Sequence, residues 1–164
     1  MNWNFMKIAA MALFVMAVPL AQAQTVKVSI AKSEYQFPDD DACVYFDWEA
    51  LGVLDHDLQL TLRAIQSGTG DFLVNSAGDS QVSDSAGLLA RKLDVTVPFD
   101  HTEWDDTFLC LPAGQFPSGN YDWYPVITIV DLTTGDLLLM RHFRNTIHYG
   151  QSGFRTDTIS EISA

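Results

Sequence analysis

Apolar and polar residues alternate with a period of two along much of the chain after residue 24. The clearest run is 58–64, where every second side chain is apolar: Leu58, Leu60, Leu62 and Ala64. Shorter runs of the same kind lie at 26–30, 44–49 and 93–97, and the short apolar run at 107–111 predicts a further strand. This period predicts strands with one buried and one solvated face, and no long segment carries the period of a helix. The pattern therefore predicts an all-β protein.

The second half of the chain predicts a β-hairpin. An aromatic and β-branched run at 121–131 is followed by a turn-forming segment and a second apolar run at 137–144. Two such runs joined by a short segment with Gly and Asp favour antiparallel pairing. Pro125 lies inside the first run, and since proline has no N–H to donate, we expect a bulge or an edge position there.

Polar segments separate the predicted strands. The longest, 67–86, is rich in Gly, Ser and Asp, and it predicts a loop with a short strand at 72–74. Residues 145–164 are predicted to form a polar tail that is either poorly ordered or a late edge strand. Seven or eight short strands within 24–144 predict one antiparallel β-sandwich domain.

Residues 1–23 have the composition of a secretory signal peptide. An early cation precedes an apolar run at 8–20, and Ala21-Gln22-Ala23 supplies small residues at the positions that a signal peptidase reads. The run is shorter than the roughly 20 residues that span a bilayer, and it contains Pro19, so we expect no stable membrane anchor after cleavage. We expect a secreted or periplasmic protein that begins at Gln24.

The charge of the chain excludes one class of partner. The sequence has 9 Lys and Arg residues against 21 Asp and Glu residues, a formal charge of −12. Loss of Lys7 with the signal peptide leaves 8 against 21, a charge of −13. Binding of nucleic acid requires clustered cations, so we expect no nucleic-acid partner. The acidity is explained by solubility of an exported domain, or alternatively by capture of a basic partner or of cations.

Two cysteines, Cys43 and Cys110, allow a single intramolecular pairing. In the oxidising compartment that a signal peptide implies, we expect them to form one structural disulfide. Neither cysteine has a second cysteine or a histidine at the spacing of a catalytic or metal-binding motif. Cys43 alternates onto the face of its strand opposite the predicted core residues Val44, Phe46 and Trp48.

The segment Pro117-Ser118-Gly119-Asn120-Tyr121-Asp122-Trp123 resembles the Gly-x-Tyr run that opens a late strand of immunoglobulin-like domains, including single-module domains of bacterial exported proteins. The resemblance implies an immunoglobulin-like sandwich in which the Tyr121 hydroxyl bonds back to the upstream backbone. Trp123 stands where antibody domains have their second cysteine, so the disulfide is expected to join other positions than theirs. The resemblance also suggests a binding or assembly role.

Carboxylates in predicted loops are candidate Ca²⁺ ligands, because Ca²⁺ takes six to eight oxygens. The candidates are Asp39, Asp41, Asp55, Asp57, Asp105 and Asp106. The alternative is that these residues are solvated turn residues. The sequence contains neither an EF-hand pattern nor a zinc-binding His or Cys motif, and we expect no other cofactor.

Enzymatic motifs are not convincing in this sequence. Gly78-Asp79-Ser80 is similar to the nucleophile segment of chymotrypsin-like proteases, but Gln81 and Val82 replace the glycines that would shape an oxyanion hole. A small secreted hydrolase therefore remains only a distant alternative, and we expect a protein that is not an enzyme.

Aromatic residues outside the cleanest core positions supply the main functional hypothesis. They are Trp104, Phe116, Tyr124 and Tyr149. Such side chains can stack on sugar rings or anchor a partner protein, whereas Trp48, Tyr121 and Trp123 are assigned to the core. The sequence thus predicts a binding module that recognises a protein partner or a surface glycan, with a Ca²⁺-dependent module as the alternative.

Overall fold

The computed structural model of the protein describes residues 26–143 and 145–156, so the predicted signal peptide and the end of the predicted tail lie outside the described residues. The described residues form nine strands: β1 (Lys27–Gln36), β2 (Asp41–Leu51), β3 (Asp57–Gln66), β4 (Ala90–Thr96), β5 (His101–Pro112), β6 (Tyr121–Asp131), β7 (Leu137–His142), β8 (Ile147–Gly150) and β9 (Gly153–Thr156). No helix among them is long and apolar enough to cross a bilayer.

The strands form two antiparallel sheets. One has the order β1-β2-β5, and the other has the order β4-β3-β6-β8-β9, with β7 also paired to β6. The order β1-β2-β5 matches strands A-B-E of immunoglobulin-like sandwiches, and β4-β3-β6-β7 matches C′-C-F-G. The protein is therefore an all-β, antiparallel β-sandwich, as the alternating pattern predicts.

The core lies between the sheets and is built from the predicted inward faces. Leu58, Leu60, Leu62 and Ala64 of β3 are fully buried. Val44, Phe46 and Trp48 of β2 face them from the other sheet, and all three are buried as well. Trp123 of β6 completes this layer at 0% exposure. The period of two therefore identifies the core side of each central strand correctly.

The disulfide between Cys43 and Cys110 joins β2 to its neighbour β5 within one sheet. The two cysteines are directly opposite each other in the strand register, next to the pair Val44 and Leu109. Antibody domains instead bridge two sheets, as the replacement of their second cysteine by Trp123 anticipates. The covalent link therefore closes a sequence separation of 67 residues.

Pro125 does not cause the expected bulge, but the alternative, an edge position, holds locally, because on one side of β6 the pairing with β7 ends at Val126 and the pairing with β8 ends at Trp123. Pro125 is buried in β6, an interior strand, and pairs with Ala64 of β3 without a register shift. Its carbonyl oxygen accepts the backbone N–H of Phe143, 3.0 Å away, on the opposite side of β6. In an antiparallel strand the N and the carbonyl of one residue face the same neighbour. The missing donor of Pro125 thus faces Phe143, at the gap where the pairing with β7 has ended and the pairing with β8 has not yet begun.

The sheet extends beyond the domain boundary predicted at residue 144. Strands β8 and β9 form a hairpin, and β8 pairs with the start of β6 through Tyr121–Tyr149 and Trp123–Ile147. Ile147 and Phe154 are buried in the core. Residues 147–156 therefore belong to the sandwich and are not a loose tail, because their few apolar side chains close one end of the core.

One buried carboxylate organises the turn between β6 and β7. Asp131 is 2% exposed, and its carboxylate accepts hydrogen bonds from His56 Nδ1 at 2.6 Å and from the backbone of Thr133 and Thr134. Burial raises the pKa of Asp131, but these hydrogen bonds outweigh it, and the pKa lies below its ordinary value.

Replacement of Asp131 by asparagine is expected to reduce stability in a pH-dependent way. Because the pKa of Asp131 is lower in the folded state, its ionised form stabilises the fold at every pH above the pKa of the unfolded chain, about 3.9. This stabilisation disappears as the pH falls through the pKa of the folded state. We expect Asp131→Asn to cost about 1.5–3 kcal/mol at pH 7, the range for hydrogen bonds to charged groups. Urea unfolding of both proteins between pH 7 and pH 2.5 measures the difference, which should shrink below pH 4. A difference that stays constant would contradict this explanation.

Candidate functional site

An open cleft of about 1020 Å³ lies at one end of the larger sheet. Its walls come from three places: the start of β6 with the preceding Asn120, the β8–β9 hairpin, and Ser67-Gly68 after β3. The backbone N–H of Ser67 donates to the carbonyl oxygen of Asp122 at 2.8 Å, which ties the third wall to the first. The cleft is therefore built on paired strands, and such sites hold side chains more rigidly than loops do.

Three charged or titratable side chains form a row across the cleft. The strand register places Asp122 of β6 opposite His148 of β8, and His148 opposite Arg155 of β9. Nδ1 of His148 contacts Oδ1 of Asp122, and Nη2 of Arg155 donates to Oγ of Ser152 in the hairpin turn. Directly opposed residues project from the same face of a sheet. The row thus offers a carboxylate, an imidazole and a guanidinium side by side to the solvent.

Two tyrosines line the same cleft and hold its floor in place. The Tyr121 hydroxyl donates to the carbonyl oxygen of Pro117 at 3.0 Å, and the Tyr149 hydroxyl donates to the carbonyl oxygen of Ala113 at 3.2 Å. Their rings lie 5.5 Å apart between centroids. The pKa of Tyr121 is raised, mainly by burial and to a smaller extent by the neighbouring Tyr149. The hydroxyl of Tyr121 therefore stays protonated and remains a hydrogen-bond donor.

Asn120 adds an amide that sits close against the backbone of β8. A Cβ atom placed on Gly150 would lie 2.5 Å from Oδ1 of Asn120. Real Cβ atoms do not approach an oxygen so closely, so a glycine at position 150 is what allows Asn120 to occupy this place. The amide group therefore forms part of the cleft wall beside Tyr149.

The cleft is suited chemically to polar recognition. It contains carboxylate, amide, imidazole and guanidinium groups, which supply both donors and acceptors over a short span. The contact of a carboxylate with Nδ1 of a histidine also occurs in Ser-His-Asp triads. Ser152 is a hydroxyl in this cleft, and its Oγ accepts a hydrogen bond from Arg155.

The structure separates the four predicted aromatic binding residues. Tyr149 lines the cleft. Tyr124 lies in β6 of the same, larger sheet, where it is half-buried beside His142 of β7. Trp104 lies in β5 and stacks on Trp48, with ring centroids 3.9 Å apart and planes 5° from parallel. Trp104 is thus half-buried against the core, and this stacking explains why it is not a free loop residue.

The prediction that Phe116 is a binding residue is wrong. Phe116 is 3% exposed and contacts the rings of Trp123, Tyr149 and Phe154, with centroids between 4.9 and 5.1 Å from its own. The chain turns inward after Ala113–Gln115 because this large apolar side chain fills the space under the β8–β9 hairpin. Phe116 therefore supports the floor of the cleft from below.

The predicted Ca²⁺ ligands do not converge. Asp39 and Asp41 precede or begin β2, whereas Asp55 and Asp57 follow its end, roughly 30 Å away along the strand. Asp105 and Asp106 form a bulge in β5 opposite Asp47, whose Oδ1 accepts the N–H of Asp106. None of the six belongs to a group of three metal-ligating side chains within the described residues.

Most of these aspartates have a local structural role instead. Asp39, Asp55 and Asp106 have φ values of 50°, 60° and 52°. Aspartate adopts this left-handed region more readily than most residues, which explains why aspartates occupy these turns and bulges. Asp57 accepts a hydrogen bond from Oγ1 of Thr96 at 2.6 Å. The alternative interpretation, solvated turn residues, is the one that the geometry favours.

Asp122, His148 and Arg155 were not predicted as site residues. No local motif marks them, because they are brought together only by the pairing of β6, β8 and β9. Recognition of β8 and β9 as strands, from the alternation of Ile147, Tyr149 and Phe154 with polar residues, would have provided the signal.

Comparisons with known proteins leave the family open. No protein-family model and no curated protein matches the sequence. A solved structure with some similarity is the catalytically inactive OgpA of Akkermansia muciniphila in complex with an O-glycopeptide (glycodrosocin) substrate. It shares 9% identity at a TM-score of 0.46, over 90% of this chain and 34% of that chain. The present chain thus spans about a third of that protein's length, and a likeness of this degree indicates neither function nor site.

Proposed function

We propose that this protein is an exported, non-enzymatic binding module that recognises a glycan in the cleft of the β8–β9 hairpin. The observation that carries the proposal is the row Asp122, His148 and Arg155, which projects from the outer face of the sheet into the cleft. Sugar hydroxyls both donate and accept hydrogen bonds, and such a row offers both kinds of partner within a few ångströms.

The polar character of the cleft favours a glycan over an apolar peptide as its occupant. Peptide-binding grooves that capture apolar side chains need apolar walls, whereas this cleft is lined by Asn120, Asp122, His148 and Arg155. Its volume of about 1020 Å³ accommodates an oligosaccharide of a few units. A protein partner would instead use a broader and flatter surface, at least about 800 Å² on each side.

Binding to a panel of immobilised oligosaccharides tests the proposal, with the strongest binder then measured by calorimetry. Asp122→Asn and Arg155→Gln are each expected to weaken affinity at least about tenfold, since each removes a charge-assisted hydrogen bond worth about 1.5–3 kcal/mol. Arg91→Gln, an exposed arginine on β4, is the matched control and should leave affinity unchanged. Absence of binding to every glycan, or equal affinity of all three variants, would contradict the proposal.

Gly150→Ala provides a test of the cleft that does not change its charge. The added methyl group would displace the Asn120 side chain from the position where its Oδ1 lies, so we expect weaker glycan binding with little loss of stability. Gly114→Ala is the control, because a Cβ there meets no atom within 4 Å. A Gly150→Ala variant that binds as the unmodified protein does would show that Asn120 contributes nothing to recognition.

A small hydrolase is the second candidate, favoured by the contact between Asp122 and Nδ1 of His148 in a cleft that also holds Ser152. Chromogenic ester and glycoside substrates test it directly. Turnover that is abolished in both His148→Ala and Ser152→Ala would establish the enzyme and overturn the non-enzymatic proposal. Glycan binding without turnover would support the binding module.

A further inference from the structure

A separate cluster of metal-ligating side chains lies on the smaller sheet, away from the cleft. Glu49 of β2 and both His101 and Glu103 of β5 place a nitrogen and two carboxylate oxygens within 4.8 Å of one another. Glu49 is directly opposite Glu103, and His101 projects from the same face two residues earlier. Their neighbours Trp48 and Ala50 are buried, so the cluster faces outward from the sandwich.

The imidazole of His101 lies between the two carboxylates, at separations that a shared ion can bridge. Nε2 of His101 lies 3.5 Å from Oε2 of Glu49 and 3.4 Å from Oε1 of Glu103. A direct charge-assisted hydrogen bond would bring such atoms to about 2.7–2.9 Å. Ligand atoms that are each about 2.0–2.2 Å from a tetrahedral zinc ion are separated from one another by roughly 3.4 Å. The two separations from His101 are close to this value, and all three ligand atoms lie within 4.8 Å of one another.

The orientation of Glu49 is fixed by contacts on its other oxygen. Nζ of Lys27 and Oγ of Ser29 donate to Oε1 at 2.8 and 2.7 Å, which leaves Oε2 directed toward His101. Metal ligands are commonly held in this way by groups that do not touch the ion themselves.

We propose that Glu49, His101 and Glu103 bind a divalent transition-metal ion of the zinc class. One imidazole nitrogen with two carboxylates suits Zn²⁺ and its neighbours, whereas Ca²⁺ prefers six to eight oxygens. The side chains of His101 and Glu103 are 53% and 69% exposed, so an ion enters directly from solvent and water completes its coordination. The site lies on the other sheet from the glycan cleft and is independent of it.

Calorimetric titration of the folded, untagged protein with zinc chloride alone tests the proposal. We expect one ion per chain, no comparable heat with calcium chloride, and visible absorption bands of a low-coordinate site when cobalt(II) is added instead. Failure to bind Zn²⁺ at stoichiometric concentrations would overturn the proposal and would indicate that the cluster is a network of ion pairs.

Single substitutions locate the ion. Each of His101→Ala and Glu103→Gln is expected to weaken Zn²⁺ affinity by about tenfold or more, since loss even of a group that only orients a ligand costs about 10–100-fold. Both side chains are exposed, so the variants should fold. His142→Ala on β7 and Asp94→Asn on β4 are matched controls on the other sheet and should bind as the unmodified protein does. Undiminished binding by both cluster variants would place the ion elsewhere and refute the assignment.

Discussion

Replacement of Phe116 by alanine is expected to lower the free energy of unfolding by about 3–5 kcal/mol, the range for removal of a buried aromatic side chain. Phe116 is 3% exposed and packs between Trp123 and the hairpin residues Tyr149 and Phe154. The cavity left behind would lie directly under the cleft. Natural domains are stable by only about 5–15 kcal/mol, so this single change should bring the protein close to unfolding at ambient temperature.

Urea unfolding followed by tryptophan fluorescence measures this loss. Phe99→Ala is the matched control, because the same group is removed from a side chain that is 67% exposed, and we expect a change within about 0.5 kcal/mol. Equal effects of the two substitutions would mean that Phe116 is not in the core. In that case the position of the β8–β9 hairpin, and with it the shape of the cleft, would also be in error.

Removal of the disulfide has the second large expected effect. The double variant Cys43→Ala/Cys110→Ala is expected to lose about 4 kcal/mol, since the link closes a long loop and restricts the unfolded chain. The two strands that it joins, β2 and β5, remain paired by their backbone ladder, so the fold should persist at low temperature. Thermal unfolding of both proteins, monitored by circular dichroism, measures the shift in Tm.

Thiol titration of the denatured, unreduced protein is the control for this prediction. The sequence has two cysteines, so complete pairing leaves no reactive thiol, whereas two thiols per chain would show that the link is not formed. A double variant with the Tm of the oxidised protein would contradict the expected stabilisation.

The long, strongly alternating strands could be predicted from the sequence, because burial of one sheet face imposes a period of two. The strand at 121–131 has the predicted limits, and the buried face of β3 is the predicted one. The first half of β5 escaped prediction, because the bulge at Asp105 and Asp106 interrupts the alternation with two charged residues. For residues 145–164 the sequence left a loose tail and a late edge strand as alternatives, because β8 and β9 have only four residues each, too few to establish a period.

The candidate site depends on contacts that are distant in sequence. Asp122 and His148 are 26 residues apart and meet through strand pairing, so no local pattern links them. The cluster of Glu49 with His101 and Glu103 likewise requires the register of β2 against β5. Conversely, the aspartates that stood out in the sequence lie at turns and at the bulge of β5. A sequence shows how many carboxylates a chain has, but not whether the fold brings them to one place. The disulfide, which had a single possible pairing, could be assigned from the sequence, and so could the hydrogen bond from the Tyr121 hydroxyl to the upstream backbone.

The most direct test of glycan recognition is an NMR titration of the isotope-labelled protein with the oligosaccharide that binds most strongly in the panel. We expect chemical-shift changes for the backbone amides of residues 120–122 and 148–155, with few changes at the opposite end of the sandwich around the turn of Asp131. Changes concentrated at that opposite end, or the absence of saturable changes in the cleft, would contradict the proposed function.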